Sequence, residues 1–189
     1  TFIKLMKSIK GMILALKALN ISHGDEVIVP SFSWISTANV VELVGAKPIF
    51  CDISLDDFNI DTGKIEKLIN KKTKAIIPVH LFGFPAKMDV IMKIAKKFKL
   101  FVIEDAACGF GSYINDKHVG NFGDFGVFSF HPRKAITTGE GGMINCLNLN
   151  NKKKIKILKD HGAFVSDFQR HNSSKPFFLA DHVEAGYNQ

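Results

Sequence analysis

The stretch EVIVPSFSWISTANVVELVGAKPIFCD, residues 26–52, contains two short β-rich runs separated by a helical pattern. The runs Glu26–Pro30 and Pro48–Asp52 are compact and apolar, which is typical of parallel strands that helices cover on both faces. Between them, Ile35–Val44 carries small and apolar residues at helical spacing. The order strand, helix, strand predicts two parallel strands joined by a crossover helix.

The same alternation continues along the chain. Ala75–His80 and Leu100–Asp105 are further strand-like runs, and Asp61–Asn70 and Met88–Phe98 are further helical patterns. The first segment, Phe2–Asn20, is predicted to be another helix, broken or weakened at Gly11. Together these elements predict an α/β domain with three layers, α/β/α, and a mostly parallel central sheet.

Composition narrows the class of protein. The chain has 189 residues, of which 46% are hydrophobic, and 17 are Phe, which is enough for a substantial core. The net charge of +7 comes from lysines spread along the whole chain, with few arginines, so we interpret it as favouring solubility rather than nucleic-acid binding. No apolar run reaches the roughly 18 to 20 residues of a membrane helix, so no membrane partner is expected.

The cysteines indicate the compartment. The three of them, Cys51, Cys108 and Cys146, are widely spaced and match neither a disulfide framework nor a zinc pattern. We therefore expect a cytoplasmic protein in a reducing environment, with no metal site.

Residues able to do chemistry follow the predicted strands, and functional groups gather beyond the carboxyl ends of strands in an open α/β sheet. Trp34 follows the first strand, Asp105 ends the fourth, and Ser129 and Lys134 end the next run. An amine that can form a Schiff base, a carboxylate for a ring nitrogen, a hydroxyl for phosphate and a stacking aromatic suit an aromatic, phosphorylated, carbonyl-bearing cofactor. Each has an ordinary alternative when taken alone: a helix cap for Asp105, a core position for Trp34, a strand serine for Ser129 and a surface charge for Lys134.

Several blocks in fixed order make the pattern specific. They are GDEVIVPSFSWISTANVVELVGAKPIFCDI, PVHLFGFPAKMD, VIEDAACGFGS, GDFGVFSFHPRKAITTGEGGMI and KDHG with GYN near the end. Over nearly the whole chain they resemble the DegT/DnrJ/EryC1/StrS family of sugar-nucleotide aminotransferases. The resemblance implies the large domain of the fold-type-I transferases that depend on pyridoxal 5'-phosphate (PLP).

Roles follow from the resemblance position by position. Lys134 matches the Schiff-base lysine, Ser129 a phosphate ligand, Asp105 the carboxylate facing the pyridine nitrogen, and Trp34 the aromatic that covers the ring. Asn188, in GYN, matches an asparagine presented to the neighbouring subunit's cofactor. A homodimer with shared active sites is therefore implied.

The chain departs from the family pattern at two places. Cys108 stands where a Gln or His usually contacts the cofactor's phenolic oxygen, and a thiol is a weaker hydrogen-bond partner. Lys7-Ser8-Ile9 stands where the family has a Ser/Asn-Gly-Thr phosphate loop, so Ser8 is the remaining candidate ligand there and Ile9 cannot donate. By the same resemblance, residues 1–189 are expected to be the large PLP-binding domain, incomplete at the C-terminus and without the small C-terminal domain.

Two hypotheses from different classes follow. The first is a PLP-dependent aminotransferase that moves an amino group from glutamate to a nucleotide-linked keto sugar, for cell-surface polysaccharide or related glycan biosynthesis. The second is a truncated or non-catalytic relative of that fold, with an impaired phosphate-binding loop.

Overall fold

The computed structural model describes residues 2–5 and 7–159, and a seven-stranded sheet forms its centre, in the order β1-β9-β8-β5-β4-β2-β3. The strands are β1 (Phe2–Leu5), β2 (Glu26–Pro30), β3 (Lys47–Cys51), β4 (Thr73–Ile76), β5 (Phe101–Asp105), β8 (Phe125–Ser129) and β9 (Gly142–Cys146). A separate two-stranded hairpin, β6 (Tyr113–Ile114) and β7 (Lys117–His118), lies in the connection between β5 and β8.

Six of the seven strands point the same way. The pairs β2–β3, β2–β4, β4–β5 and β5–β8 are parallel, and β9 is antiparallel to both of its neighbours, β8 and β1. β1 therefore runs in the same direction as β8, and the carboxyl ends of β1, β2, β4, β5 and β8 lie along one edge. Binding sites of open α/β sheets form at this edge.

Helices cover both faces of the sheet. The helices are α1 (Ser8–Ala18), α2 (Ser36–Leu43), α3 (Thr62–Leu68), α4 (Met88–Phe98) and α5 (Leu149–Lys159), with a short 3-10 turn at Leu81–Gly83. One core lies under α1, α2 and α5, and a second lies under α3 and α4. Strand β2 supplies Val27 and Val29 to the first core and Ile28 to the second, because successive side chains of a strand point to opposite faces. The predicted three-layer, mostly parallel α/β/α fold is confirmed.

The N-terminal segment differs from the sequence prediction. Phe2–Leu5 is not helical; it is strand β1, paired antiparallel with β9, and its residues alternate between exposed and buried. Pairing with the sheet edge satisfies the backbone groups of this segment, and a four-residue strand is too short for the alternation to stand out from a helical pattern. The prediction of one helix over Phe2–Asn20 was therefore wrong at its start.

Gly11 does not break or weaken α1. It lies inside the helix and is buried, and a Cβ at this position would come within 2.9 Å of both Leu5 Cδ1 and Val127 Cγ1. The missing side chain lets α1 lie close against β1 and β8, which offsets the lower helix propensity of glycine. Because α1 starts at the carboxyl edge of the sheet, this close packing also sets the position of its first turn.

Helices α2, α3 and α4 lie close to their predicted places, whereas α5 was not predicted from the sequence. Helix α3 begins after Asp61, whose carboxylate accepts the N–H of Gly63 at 2.9 Å, as an N-cap residue does. Helix α4 ends at Phe98, and its C-cap residue Lys99 adopts a left-handed conformation with φ 56°. In the described part of the chain, no helix combines the length and apolar character needed to span a bilayer.

Candidate active site

A cavity of about 580 Å³ opens at the carboxyl edge of the sheet. Six of the seven residues that the sequence proposes for the cofactor site line it together: Ser8, Trp34, Asp105, Cys108, Ser129 and Lys134. They come from the start of α1, the loop after β2, the end of β5, the loop after β5, the end of β8 and the loop after β8. The seventh, Asn188, lies outside the described residues.

Asp105 is the buried carboxylate of this cavity. It is 5% exposed, its Oδ2 accepts the hydroxyl of Thr37 at 3.0 Å, and its Oδ1 accepts the N–H of Ala107 at 3.2 Å. Thr37 Oγ1 also lies 3.1 Å from Ser33 Oγ, so the carboxylate is tied to the start of α2. The hydroxyl of Thr37 holds the Asp105 side chain in one orientation, with its remaining acceptor capacity available to the cavity.

Burial raises the pKa of the Asp105 carboxyl above its usual value, because water is excluded from the charged form. The N–H of Ala107, the hydroxyl of Thr37 and the positive charge of Lys134 act in the opposite direction and offset part of this effect. A carboxylate in this state gains from a cationic partner. A protonated ring nitrogen placed in the cavity is such a partner.

Lys134 reaches into the cavity from the loop after β8. The residue is partly buried, and its Nζ donates to the Sγ of Cys108 at 3.1 Å. Cys108 is the exposed cysteine, whereas Cys51 and Cys146 are buried. The contact connects the loop after β5 with the loop after β8 and places a nucleophilic amine beside a thiol at the cavity wall.

The loop that carries Lys134 is folded back on Phe130. The backbone N–H of Phe130 donates to the carbonyl of Gly141 at 2.9 Å, and the N–H of Thr138 donates to the carbonyl of Phe130 at 3.1 Å. The hydroxyl of Thr137 donates to the same carbonyl at 3.0 Å. These bonds explain why threonine and glycine follow the lysine: threonine hydroxyls close the loop, and a Cβ at Gly141 would clash with Thr138 Oγ1.

Ser129 lies beside the first turn of α1. In the sheet, Ser129 is opposite Gly142, and Gly142 is opposite Leu5. A Cβ at Gly142 would come within 2.7 Å of the backbone nitrogen of Ser8, so glycine is required for this close approach. Ser129 is 6% exposed and lines the cavity, and its hydroxyl has no hydrogen-bond partner among the described residues. A hydroxyl that is open to the cavity and has no protein partner can donate to an oxygen-rich ligand such as phosphate.

Trp34 stands at the mouth of the cavity and is 67% exposed. The guanidinium of Arg133 lies 5.7 Å from the centre of its ring, within the range of a cation–π contact. The core position that was the alternative for Trp34 is therefore wrong. Phe32 and Phe82 line the same mouth and are 49% and 79% exposed, so the cavity has an aromatic rim.

Glu104 is the buried residue that sequence reasoning missed. It is fully buried, and its two oxygens accept the N–H groups of Gly120, Phe122 and Gly123, each at 2.7 Å. It also lies 3.0 Å from Nε2 of His80. The signal was a charged residue next to Asp105 in an otherwise apolar strand, but its backbone partners lie 16 to 19 residues further along the chain and His80 lies 24 residues before it.

The tautomer of His80 follows from its two contacts. Its Nδ1 accepts the N–H of Ala86 at 3.1 Å, so this nitrogen carries no proton. Nε2 therefore carries the proton and donates it to Glu104. His80, the last residue of the predicted strand-like run Ala75–His80, does not line the cavity and holds the chain just before the 3-10 turn at Leu81–Gly83. Among the residues that the structure describes, no group of three or more His, Cys, Asp or Glu side chains could hold a metal ion.

Relatives with known names share much of this sequence. The chain is 47% identical over 155 residues to UDP-N-acetyl-3-dehydro-alpha-D-glucosamine 3-aminotransferase from Acidithiobacillus ferrooxidans, covering 82% of this chain and 42% of that protein. The chain thus spans less than half the length of this relative.

Solved structures share the fold. An aminotransferase from Psychrobacter cryohalolentis superimposes with a TM-score of 0.92 at 36% identity, over 99% of this chain and 47% of that one. NtdA from Bacillus subtilis, solved with bound cofactor PMP, superimposes with a TM-score of 0.83 at 34% identity, over 98% of this chain and 40% of that one. The prediction of a pyridoxal phosphate cofactor is confirmed by this similarity to cofactor-bound relatives.

The family model of the DegT/DnrJ/EryC1/StrS aminotransferases matches residues 3–189. This match covers the described domain and the residues that follow it, and it agrees with the motif blocks read from the sequence. The chain belongs to the DegT/DnrJ/EryC1/StrS aminotransferase family.

Proposed function

We propose that this chain is the large cofactor-binding domain of an aminotransferase that moves an amino group from glutamate to a nucleotide-linked keto sugar. The observation that carries the proposal is the convergence of Lys134, Asp105, Ser129 and Trp34 on one cavity at the carboxyl edge of the sheet. An amine, a buried carboxylate, an unpartnered hydroxyl and an exposed aromatic ring are the groups that pyridoxal phosphate requires.

The residues present fit this cofactor. Ser129 and the start of α1 offer hydrogen-bond donors for its phosphate, and Asp105 offers a buried negative charge for its ring nitrogen. When bound, pyridoxal phosphate supplies an aldehyde for the amine and an electron-withdrawing ring. The protein supplies position and charge around it.

Lys134 is the proposed catalytic base as well as the anchor of the cofactor. Its Nζ, once free of the cofactor, accepts a proton from the carbon of the amino donor and later returns a proton to the carbon that receives the nitrogen. Asp105 keeps the ring nitrogen protonated through its charge. The hydroxyl of Thr37 orients Asp105 for this role, because it donates to Oδ2 at 3.0 Å.

The remaining cavity residues have binding roles in this proposal. Trp34 covers one face of the cofactor ring. Its indole is largely exposed and is therefore available for stacking. Cys108 is the proposed contact of the phenolic oxygen next to the aldehyde, and its distance of 3.1 Å from Lys134 Nζ supports this role. Ser8 adds a donor at the phosphate end through the first turn of α1.

The substrate proposal rests on relatives. The Acidithiobacillus ferrooxidans protein is named for a UDP-linked 3-dehydro sugar, and it is 47% identical to this chain. We propose a nucleotide-linked keto sugar of the same chemical class as the amino acceptor, glutamate as the donor, and a cytoplasmic role in cell-surface polysaccharide or related glycan biosynthesis.

A homodimer is proposed as the active assembly. The aromatic rim of the cavity supports it, since Phe32, Trp34 and Phe82 expose apolar surface beside a site that needs a drier environment. In that assembly, Asn188 would approach the other subunit's cofactor. Activity that stays constant per milligram on dilution, with a monomeric sedimentation coefficient, would contradict the dimer.

The alternative is a non-catalytic relative of this fold. Ile9 lies in the first turn of α1 and lines the cavity, where a hydroxyl donor would serve phosphate better. In that case the cavity would bind the cofactor weakly or not at all.

An absorbance titration distinguishes the two. We expect added pyridoxal phosphate to give a visible band, borohydride to fix the cofactor on the peptide that contains Lys134, and Lys134→Ala to abolish both. Cofactor fixed on another lysine, or no band at saturating cofactor, would refute the proposed function.

A further inference from the structure

The first turn of α1 begins without the groups that usually complete a helix N-terminus. Its N-cap residue is Lys7, in extended conformation with φ −142° and ψ 144°, and no side chain caps the turn. The first turn contains no acidic residue. The first N–H groups of a helix point outward without intrahelical partners, and a cation beside them is unfavourable because that end of the helix is already positive.

Nothing in the described residues neutralises this charge. No carboxylate lies within salt-bridge distance of the Lys7 ammonium among them, and Lys7 is exposed and lines the cavity. A lysine at this position therefore costs stability in the absence of a ligand. With an anion bound in the cavity, the Lys7 charge would stabilise the folded protein instead, because the ammonium would then attract the anion.

A second observation points to such a ligand independently of the helix. Ser129 is nine-tenths buried or more, at 6% exposure, and its hydroxyl lines the cavity with no hydrogen-bond partner among the described residues. Ser129 is next to Gly142 in the sheet, and Gly142 is pressed against the backbone of Lys7 and Ser8. The unpartnered hydroxyl and the positive helix terminus thus lie on the same side of the cavity.

We propose that Lys7 is a phosphate-binding residue of this chain. Its ammonium, the N–H groups of the first turn of α1 and the Ser129 hydroxyl together hold the phosphate of the cofactor. The proposal rests on the proposed function for the identity of the ligand. It also explains how the chain keeps a phosphate site although Ile9 offers no hydroxyl: a point charge at Lys7 takes the place of a hydrogen-bond donor.

The charge on the ligand gives this proposal a pH signature. A phosphate monoester loses its second proton near pH 6, and lysine remains charged well above that value. Binding through Lys7 should therefore strengthen as the pH rises from about 5 to about 7.5, and the gain should be smaller in a variant without the ammonium.

The test compares Lys7→Gln with the charge-retaining Lys7→Arg in the intact protein. Lys4→Gln is the matched control, because it removes the same charge from an exposed position three residues away that does not line the cavity. Dissociation constants are measured for pyridoxal phosphate, for pyridoxal without phosphate and for inorganic phosphate. We expect Lys7→Gln to weaken pyridoxal phosphate and inorganic phosphate by about tenfold or more, and to leave pyridoxal within about twofold.

Thermal unfolding without phosphate separates a binding role from a structural one. We expect Lys7→Gln to raise the melting temperature slightly in phosphate-free buffer, because it removes a cation from the positive end of α1. A structural role would lower it instead. Lys7→Arg should keep most of the affinity, and Lys4→Gln should change neither quantity.

The outcomes separate this inference from the proposed function. If pyridoxal phosphate attaches to Lys134 and Lys7→Gln leaves its affinity unchanged, the inference about Lys7 is wrong and the function stands. If pyridoxal phosphate does not bind but inorganic phosphate does, and Lys7→Gln weakens it, the anion site stands and the function fails. If millimolar inorganic phosphate does not stabilise the unaltered protein, the inference fails as well.

Discussion

Glu104 and Asp105 are adjacent in β5, and their side chains serve opposite purposes on the two faces of the strand. Both are buried, at 0% and 5% exposure. Glu104 accepts four hydrogen bonds, three from backbone N–H groups of residues 120–123 and one from His80. Asp105 accepts two, from Thr37 and Ala107, and lines the cavity.

The difference shows how one strand can carry both structure and function. A carboxylate has about four acceptor positions, so Glu104 is filled by the protein itself, whereas Asp105 keeps capacity for a ligand. The donors to Glu104 hold the loop that leads into β8, and β8 ends at Ser129. Glu104, whose acceptor positions are all filled, therefore helps to position β8, the strand that lies beside Asp105.

The largest expected effect is on the rate of transamination and concerns Lys134, which lines the cavity with Asp105. Lys134→Ala should lower the rate of transamination by about 10²- to 10⁴-fold, because the base that moves the proton is lost. Stability should change little, since Lys134 is partly exposed and its ammonium donates to the Cys108 thiol. The measurement is turnover alongside thermal unfolding, with the exposed Lys67→Ala as control. Retained turnover in Lys134→Ala would remove the basis for assigning catalysis to the residues that line the cavity.

The next largest effect belongs to Glu104 and concerns stability. Glu104→Ala leaves the N–H groups of Gly120, Phe122 and Gly123 and the Nε2–H of His80 without their acceptor. Buried donors without partners cost about 1–3 kcal/mol each where water does not replace the acceptor, so we expect a loss of about 3 kcal/mol or more. Chemical denaturation measures it, and Glu104→Gln should lose less. A loss below about 1 kcal/mol would show that the loop does not depend on this carboxylate.

Asp105→Asn should act in the opposite direction on stability. Without cofactor, the Asn amide can still accept from Ala107 and can donate to Thr37, and the buried negative charge is gone. We expect the free energy of unfolding at pH 7 to rise by about 0.5–2 kcal/mol, as when a strained functional group is removed, while the amino-transfer rate falls.

The pH dependence of Asp105→Asn follows from the raised pKa of Asp105. The folded protein holds the Asp105 proton more tightly than the unfolded chain, so stability declines as pH rises from the unfolded value near 3.9 towards the higher folded pKa. The increase in unfolding free energy that Asp105→Asn produces should therefore be small near pH 4 and larger at pH 7. A stability increase that becomes smaller as the pH rises would contradict a raised pKa of Asp105 in the folded protein.

The smallest expected effect on stability belongs to Trp34. Because its side chain is 67% exposed, Trp34→Ala should change the free energy of unfolding by less than about 0.5 kcal/mol. The same change should weaken cofactor binding, since stacking on the ring is lost. The contrasting variant is Phe128→Ala, which truncates a buried aromatic residue of β8, 1% exposed and not lining the cavity, and should lose about 3–5 kcal/mol. Equal losses of unfolding free energy in Trp34→Ala and Phe128→Ala would remove the distinction between residues that stabilise the fold and residues that serve the cavity.

The candidate site was largely predictable because its chemistry is local. Lys134 and the Thr and Gly residues after it form one continuous block, and Asp105 and Trp34 each follow a recognisable apolar run. Parallel strands bring their carboxyl ends to one edge, so residues after different strands are expected to meet. The structure does bring six of the seven proposed residues to one cavity.

The amino-acid sequence by itself determined the layers of the sheet, the direction of most strands and the residues around the cavity, because periodicity and strand-end chemistry are properties of short segments. Only the tertiary structure decided the rest. Strand β1 exists because Phe2–Leu5 pairs with Gly142–Asn145, Gly11 is tolerated because α1 lies on Val127, and Glu104 is satisfied by residues 120–123. Each of these depends on groups that are distant along the chain and meet only after the sheet has formed, so no local pattern contains them.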